Sequence, residues 1–117
     1  MSARIRVSSP ASRTMDGKLF ASRAEMNRYA ELRMMERAGI IRDLEIQPEY
    51  VLQAAYVRDG KKIQPIKYRA DFRYLNASTN KIIVEDCKGM KTEVYKLKKK
   101  LLLARYPDMN FIEVLAR

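Results

Sequence analysis

Three groups of side chains in this 117-residue sequence have types and spacings suited to chemistry: Asp71 within Arg69-Ala70-Asp71-Phe72, the run Glu85-Asp86-Cys87-Lys88, and Glu25 within Ser22-Arg23-Ala24-Glu25. Acids that follow the apolar Ile82, Ile83 and Val84 are costly to bury unless a cation compensates them, which points to a metal or a paired base. A divalent ion held by two or three carboxylates can grip a scissile phosphate oxygen, lower the pKa of its own water and steady the leaving oxygen. On a strand, Lys88 projects from the same face as Asp86, where its ammonium could orient a nucleophile or balance charge on a phosphate. Missing residue types narrow the choice further. The sequence has no His and one Cys, Cys87, which excludes Ser-His-Asp and Cys-His nucleophiles, imidazole-bound zinc, intrachain disulfides and multi-cysteine cages. Cys87 itself reads as a small buried apolar residue. Any metal must then be a hard cation such as Mg2+ or Mn2+.

Positioning those groups requires one α/β domain. Ser22 and Glu25 match a capping box, the segment to Ala38 favours a helix, and Gly39 stands where it should stop. Glu25 shares a stripe with Tyr29, Leu32 and Met35, the side expected to face the core. Residues 44–57 and 63–75 read as two paired strands around an Asp59-Gly60 hairpin turn. Asn76 to Asn80 is turn chemistry, and Lys81 to Lys88 reads as a third strand with Ile82, Ile83 and Val84 buried on both faces. A second helix is expected over Lys91 to Tyr106, with Val94, Leu97, Leu101 and Ala104 at helical spacing; Pro107-Asp108 ends it before a last strand, Phe111 to Leu115. The order is α-β-β-β-α-β. Met26, Met34 and Met35 read as core filler.

Strict alternation creates a conflict within this scheme. It places Asp71 with Lys67, Arg69 and Arg73 on one face, compatible with a surface ion-pair ladder, while Asp86 and Lys88 share a face with Ile82 and Val84. The acids converge only if the strands twist, if a bulge intervenes, or if Glu85 replaces Asp86. The offset to Lys88 favours Asp86, with Glu85 as the alternate ligand. Glu25 has a purely structural alternative as the partner of the Ser22 cap, and Gln47 reads as an exposed strand residue within possible reach of the site.

The 24 Lys and Arg against 14 Asp and Glu leave a net charge of +10, favouring a polyanionic partner, nucleic acid first and acidic membrane second. Lys91, Thr92, Tyr95 and Lys98 form a stripe beginning just beyond Lys88 that could grip a DNA backbone, and Arg23 beside Glu25 is counted with them. Residues 1–17 are expected to be a flexible basic arm. Apolar runs are far shorter than the roughly 20 residues of a membrane-spanning helix, and the start lacks a secretory signal core, so a cytoplasmic location is expected.

The pattern Ala70-Asp71-Phe72 followed by Asp86-Cys87-Lys88-Gly89 resembles the PD-(D/E)xK nuclease superfamily, in which an Asp on the second strand precedes an acid-x-Lys on the third. Ser22-Arg23-Ala24-Glu25 resembles the helix-borne S-x-x-E of archaeal-type Holliday-junction resolvases. The strings ADFRY, VEDCKG and TEVYKLKKKL are similar to short phage- and prophage-borne nucleases of this superfamily. Ala70 stands where many members have Pro. The resemblance implies a restriction-endonuclease-like α/β fold with a mixed central sheet flanked by helices, in a nuclease domain over residues 18–117. It also implies an Mg2+-dependent endonuclease acting on DNA, preferentially on branched recombination intermediates during phage DNA metabolism inside a bacterial host. Asp71, Asp86 and Glu25, with the Cys87 backbone carbonyl, would be the metal ligands and Lys88 the catalytic lysine. Two cuts at a four-way junction would call for a homodimer. The alternatives from other classes are a non-catalytic basic DNA-binding module of the same fold and a phage accessory protein whose basic face meets an acidic partner.

Overall fold

A computed structural model describes residues 9–115. The chain is a mixed α/β protein with a four-stranded mixed sheet at its centre and a helix against each face. In chain order the elements are β1 (Thr14–Met15), β2 (Lys18–Leu19), α1 (Arg23–Arg37), β3 (Ile41–Ile46), β4 (Glu49–Gln53), β5 (Tyr56–Arg58), β6 (Lys61–Ile63), β7 (Ile66–Arg69), β8 (Phe72–Asn76), β9 (Lys81–Lys88), α2 (Glu93–Arg105) and β10 (Asn110–Leu115). The central sheet runs β10-β9-β8-β3, antiparallel except for the β9–β10 pair, which is parallel and connected through α2. Its core elements follow the expected α-β-β-β-α-β order.

Local chemistry sets most boundaries. Ser22 Oγ accepts the Glu25 N–H at 3.1 Å, and Glu25 Oε2 accepts the Ala21 N–H at 2.9 Å, so one orphan donor of α1 and the amide just before its cap are satisfied reciprocally. Gly39 follows the helix at φ +77°, the left-handed conformation that lets the chain turn into β3. Asp59 and Gly60, both at positive φ, close the β5–β6 hairpin. Thr92 caps α2 by accepting the Tyr95 N–H at 3.1 Å.

The expected pair of long strands forms one interrupted hairpin, with β3 on β8, β4 on β7 and β5 on β6. Both arms bend at the same level. Gln47, at φ +53°, donates its N–H to the Asp71 carbonyl at 2.8 Å, and the Ala70 N–H reaches the Pro48 carbonyl at 3.0 Å. These bonds hold Ala70 and Asp71 in a break between β7 and β8, not within a continuous strand.

Each sheet face has its own core. Phe20, Tyr29, Leu32, Ile41, Phe72 and Tyr74 pack between the sheet and α1; Tyr68, Ala70, Val84, Tyr95 and Leu102 pack beneath α2. Three expectations are corrected. Val94, Leu97 and Leu101 are exposed, because α2 turns Tyr95 and Leu102 inward instead. Ile82 is exposed although Val84 is buried, and Met34 faces solvent while Met26 and Met35 pack on the core. Within the segment expected to be a flexible arm, residues 1–8 lie outside the described residues, whereas Ala11–Arg13 form a 3-10 turn and β1 pairs with β2. The Tyr29 hydroxyl donates to Asp16 at 2.8 Å, and Met15 packs on the α1 core, so this hairpin is folded onto the domain.

Candidate active site

The break between β7 and β8 resolves the conflict in strand alternation. Released from the ladder, Asp71 faces the end of β9: its N–H donates to the Glu85 carbonyl at 3.1 Å and to Asp86 Oδ1 at 2.9 Å. Its own Oδ2 accepts the Cys87 N–H at 2.7 Å. Asp71 therefore makes no surface ion-pair ladder with Arg69 and Arg73; Arg73 pairs instead with Glu45, at 3.3 Å. From α1 the Glu25 carboxyl comes within hydrogen-bonding reach of Asp71. Glu25 is 4% exposed and serves both the helix cap and this contact. Burial, then the adjoining Glu25 carboxyl, push the Asp71 carboxyl up to about 8 against the opposing pull of the Cys87 amide and Lys88.

Asp86 and Lys88 emerge from the opposite face of β9, beneath α2. Asp86 is fully buried, and besides the Asp71 amide it accepts the Tyr68 hydroxyl through Oδ2. Burial raises its carboxyl to about 6, partly offset by the Lys88 charge. Lys88 Nζ lies 4.0 Å from Asp86 Oδ2 and 4.4 Å from the centre of the Tyr95 ring, a cation–π contact that fixes the ammonium. The Tyr95 hydroxyl donates to Glu113, which also pairs with Lys91 at 3.1 Å and Lys99 at 3.2 Å. These three partners hold the Glu113 carboxyl down to about 2.

Glu85, the alternate ligand, points the other way. Arg28 donates to both of its oxygens, at 2.5 and 3.0 Å, and the Tyr74 hydroxyl donates at 2.7 Å. A fully buried carboxylate engaged on that scale belongs to the α1 core and is not available beside Lys88. Cys87 is half-buried, not buried, and burial among acids pushes its thiol up to about 11, so it stays protonated and is no nucleophile at neutral pH.

Of the expected DNA contacts, Tyr95 is largely buried with its hydroxyl taken by Glu113, and its ring stands in the wall of the groove beside Lys88. Thr92 is exposed but works as the α2 cap, Lys91 is paired with Glu113, and Arg23 is exposed at the start of α1. Lys98 reaches the Lys67 carbonyl at 3.3 Å and, with Lys67, Arg69, Lys88, Tyr68, Tyr95 and the single acid Glu49, which pairs with Lys67 at 3.8 Å, lines an open groove of about 420 Å³ running past Lys88. Gln47 contributes its backbone, holding the Asp71 break. Sequence reasoning missed Tyr68, Tyr95 as a support for Lys88, and Arg28. The available signal was that Asp86 and Glu85, if buried, each require a donor.

Among the described residues no group of three His, Cys, Asp or Glu side chains converges as a ready metal cage. Asp71 and Glu25 meet, while Asp86 joins them through the Asp71 amide. The donor set still fits Mg2+, which takes oxygen ligands, keeps several waters and is usually bound by one or two carboxylates plus substrate phosphate. Two carboxyls in contact, one with a strongly raised pKa, form a site whose ionised state a divalent cation would compensate.

No helix among the described residues is long and apolar enough to cross a membrane. A family described as "Protein of unknown function (DUF1064)" matches residues 11–116. No curated protein and no solved structure matches the chain.

Proposed function

The chain belongs to the DUF1064 family, and we propose that it is an Mg2+- or Mn2+-dependent endodeoxyribonuclease of the PD-(D/E)xK type. The observation that carries this reading is the meeting of the buried Glu25 and half-buried Asp71 carboxyls at the end of β9, beside the Asp86–Lys88 pair and a groove in which four cations outnumber the single acid Glu49. In this reading Asp71 and Glu25 hold the ion, with Asp86 and the Cys87 carbonyl beside them. The bound ion supplies Lewis acidity toward a phosphoryl oxygen and a water of lowered pKa. Lys88 places a fixed ammonium where negative charge grows on the phosphate, and Tyr95 keeps it there. Lys67, Arg69 and Lys98 hold the DNA backbone along the groove. A branched substrate, and a dimer to cut it twice, are proposed on the resemblance to junction resolvases.

Cleavage of a four-way junction, a flap, a plain duplex and single strands with and without Mg2+ or Mn2+ tests the reading. Metal-dependent nicking lost in Asp71→Asn and in Lys88→Ala, with DNA binding retained, is the expected result. No cleavage of any of these substrates with either metal would overturn it. A second reading, a non-catalytic DNA-binding module, is favoured by one observation: both Asp86 oxygens are already occupied, by the Asp71 amide and the Tyr68 hydroxyl. That reading expects salt-sensitive DNA binding without cleavage.

A further inference from the structure

A second cavity lies away from the acids at the end of β9. It is an open groove of about 730 Å³ where the end of α2 and the turn after it overhang the first residues of β9. That size is in the range of small-molecule sites. Its apolar lining comes from Ile82, Val84 and Met109, and it includes the Ile82 side chain left exposed on β9. Tyr50 and Tyr106 form an aromatic wall, with ring centres 5.5 Å apart at 67°. The Tyr106 hydroxyl donates to the Val51 carbonyl at 3.2 Å, which fixes that ring. The Tyr50 hydroxyl is buried and has no hydrogen-bond partner among the described residues, an arrangement that calls for an acceptor from elsewhere.

The other lining residues are unbalanced in charge. Arg73, Lys81 and Arg105 contribute three cations against the single acid Asp108. Arg73 shares only a part-exposed contact with Glu45, and no ion pair within 4.0 Å engages Lys81 or Arg105 among the described residues. An apolar, aromatic-walled slot rimmed by three cations, two of them without an ion-pair partner among the described residues, suits a ligand that is a flat ring at one end and an anion at the other. Stacking on aromatic side chains with backbone neutralisation by cations is how proteins hold unpaired bases.

We propose that this groove binds an unpaired nucleotide, its base against Tyr50 and Tyr106 and its phosphate among Lys81, Arg105 and Arg73. The proposal needs neither a metal nor the acids at the end of β9, so it stands apart from the nuclease reading. Two sources share this chemistry, a free mononucleotide and an unpaired residue within a strand.

The test titrates the full chain, in EDTA, with 2-aminopurine deoxyribonucleoside 5′-monophosphate and with a short thymine strand carrying one 2-aminopurine. Binding is expected to quench the fluorescent base. Lys81→Glu combined with Arg105→Glu, both exposed positions, is expected to weaken affinity about ten-fold or more through lost charge-assisted contacts. Tyr106→Leu, checked for folding by circular dichroism, is expected to reduce the quenching at saturation. Lys61→Glu with Lys62→Glu, the same charge change on β6, is expected to leave affinity within about two-fold, because neither residue lines the groove and exposed charges are screened by salt. Tighter binding of the strand supports an unpaired residue as the ligand, and equal binding supports the free nucleotide. Failure of both probes to bind would overturn the proposal. So would affinity unchanged by the Lys81 and Arg105 substitutions, or weakened equally by those at Lys61 and Lys62. Because EDTA removes divalent ions, the result is independent of whether Asp71 and Lys88 support cleavage.

Discussion

Asp71 carries its proton unusually far up the pH scale, and the sign of the consequence follows from that. With a folded-state pKa of about 8 against an ordinary 3.8, its contribution favours folding only at low pH. That contribution is lost progressively as pH rises from near 4 through 8, because the unfolded chain ionises first. Asp71→Asn is therefore expected to stabilise the protein more at pH 8 than at pH 5, by about 1–3 kcal/mol of difference in urea unfolding. In the nuclease reading, divalent-ion affinity rises with pH over the same interval as the carboxyl gives up its proton. An Mg2+ concentration of about 100 times Kd is expected to add roughly 2.7 kcal/mol of stability, seen as a rise in Tm. Glu85 is expected to behave oppositely to its neighbour Asp86. Glu85→Ala strands the Arg28 guanidinium and should cost roughly 3–5 kcal/mol in urea unfolding, whereas Asp86→Asn should abolish cleavage and leave the fold in place. The alternation of β9 suffices to put these two acids on opposite faces. Which face holds Lys88's partners and which holds Arg28 depends on contacts 57 residues apart, such as Arg28 with Glu85, that no local pattern carries.

At the scale of elements, α2 separates two stripes that look alike in sequence. Leu102→Ala should cost about 2–5 kcal/mol as a core truncation, while Leu97→Ala should stay within about 0.5 kcal/mol, both measured by urea unfolding. Spacing alone favoured Val94, Leu97, Leu101 and Ala104 as the inward stripe, with the lysines around it. The structure inverts this because Lys98 and Lys99 lay their stems along the core side and send their ends to Lys67 and Glu113. Other elements were legible. β9 spans Lys81–Lys88 as read, the Ser22 cap and Gly39 bound α1, and Asp59-Gly60 makes its hairpin, since each depends on chemistry within a few residues. The break at Ala70-Asp71 was not legible, because the bonds that enforce it come from Gln47 and Pro48 across the sheet.

At the scale of the whole molecule, the +10 charge should make DNA affinity fall steeply with salt, with a log–log slope of about −0.9 for each phosphate neutralised. Lys98→Ala should shallow that slope by about 1, as expected for a lysine that lines the groove. Lys91→Ala should change it less, since Glu113 already holds Lys91 at 3.1 Å. Binding isotherms at several salt concentrations check both. The order of the central sheet carries a further consequence. β10 supplies the second neighbour of β9 and, through Glu113, the partner that fixes Tyr95 against Lys88. During translation, then, a nascent chain would possess the three candidate acids and the lysine before it owned the strand that steadies them, so competence would arrive only once β10 had emerged.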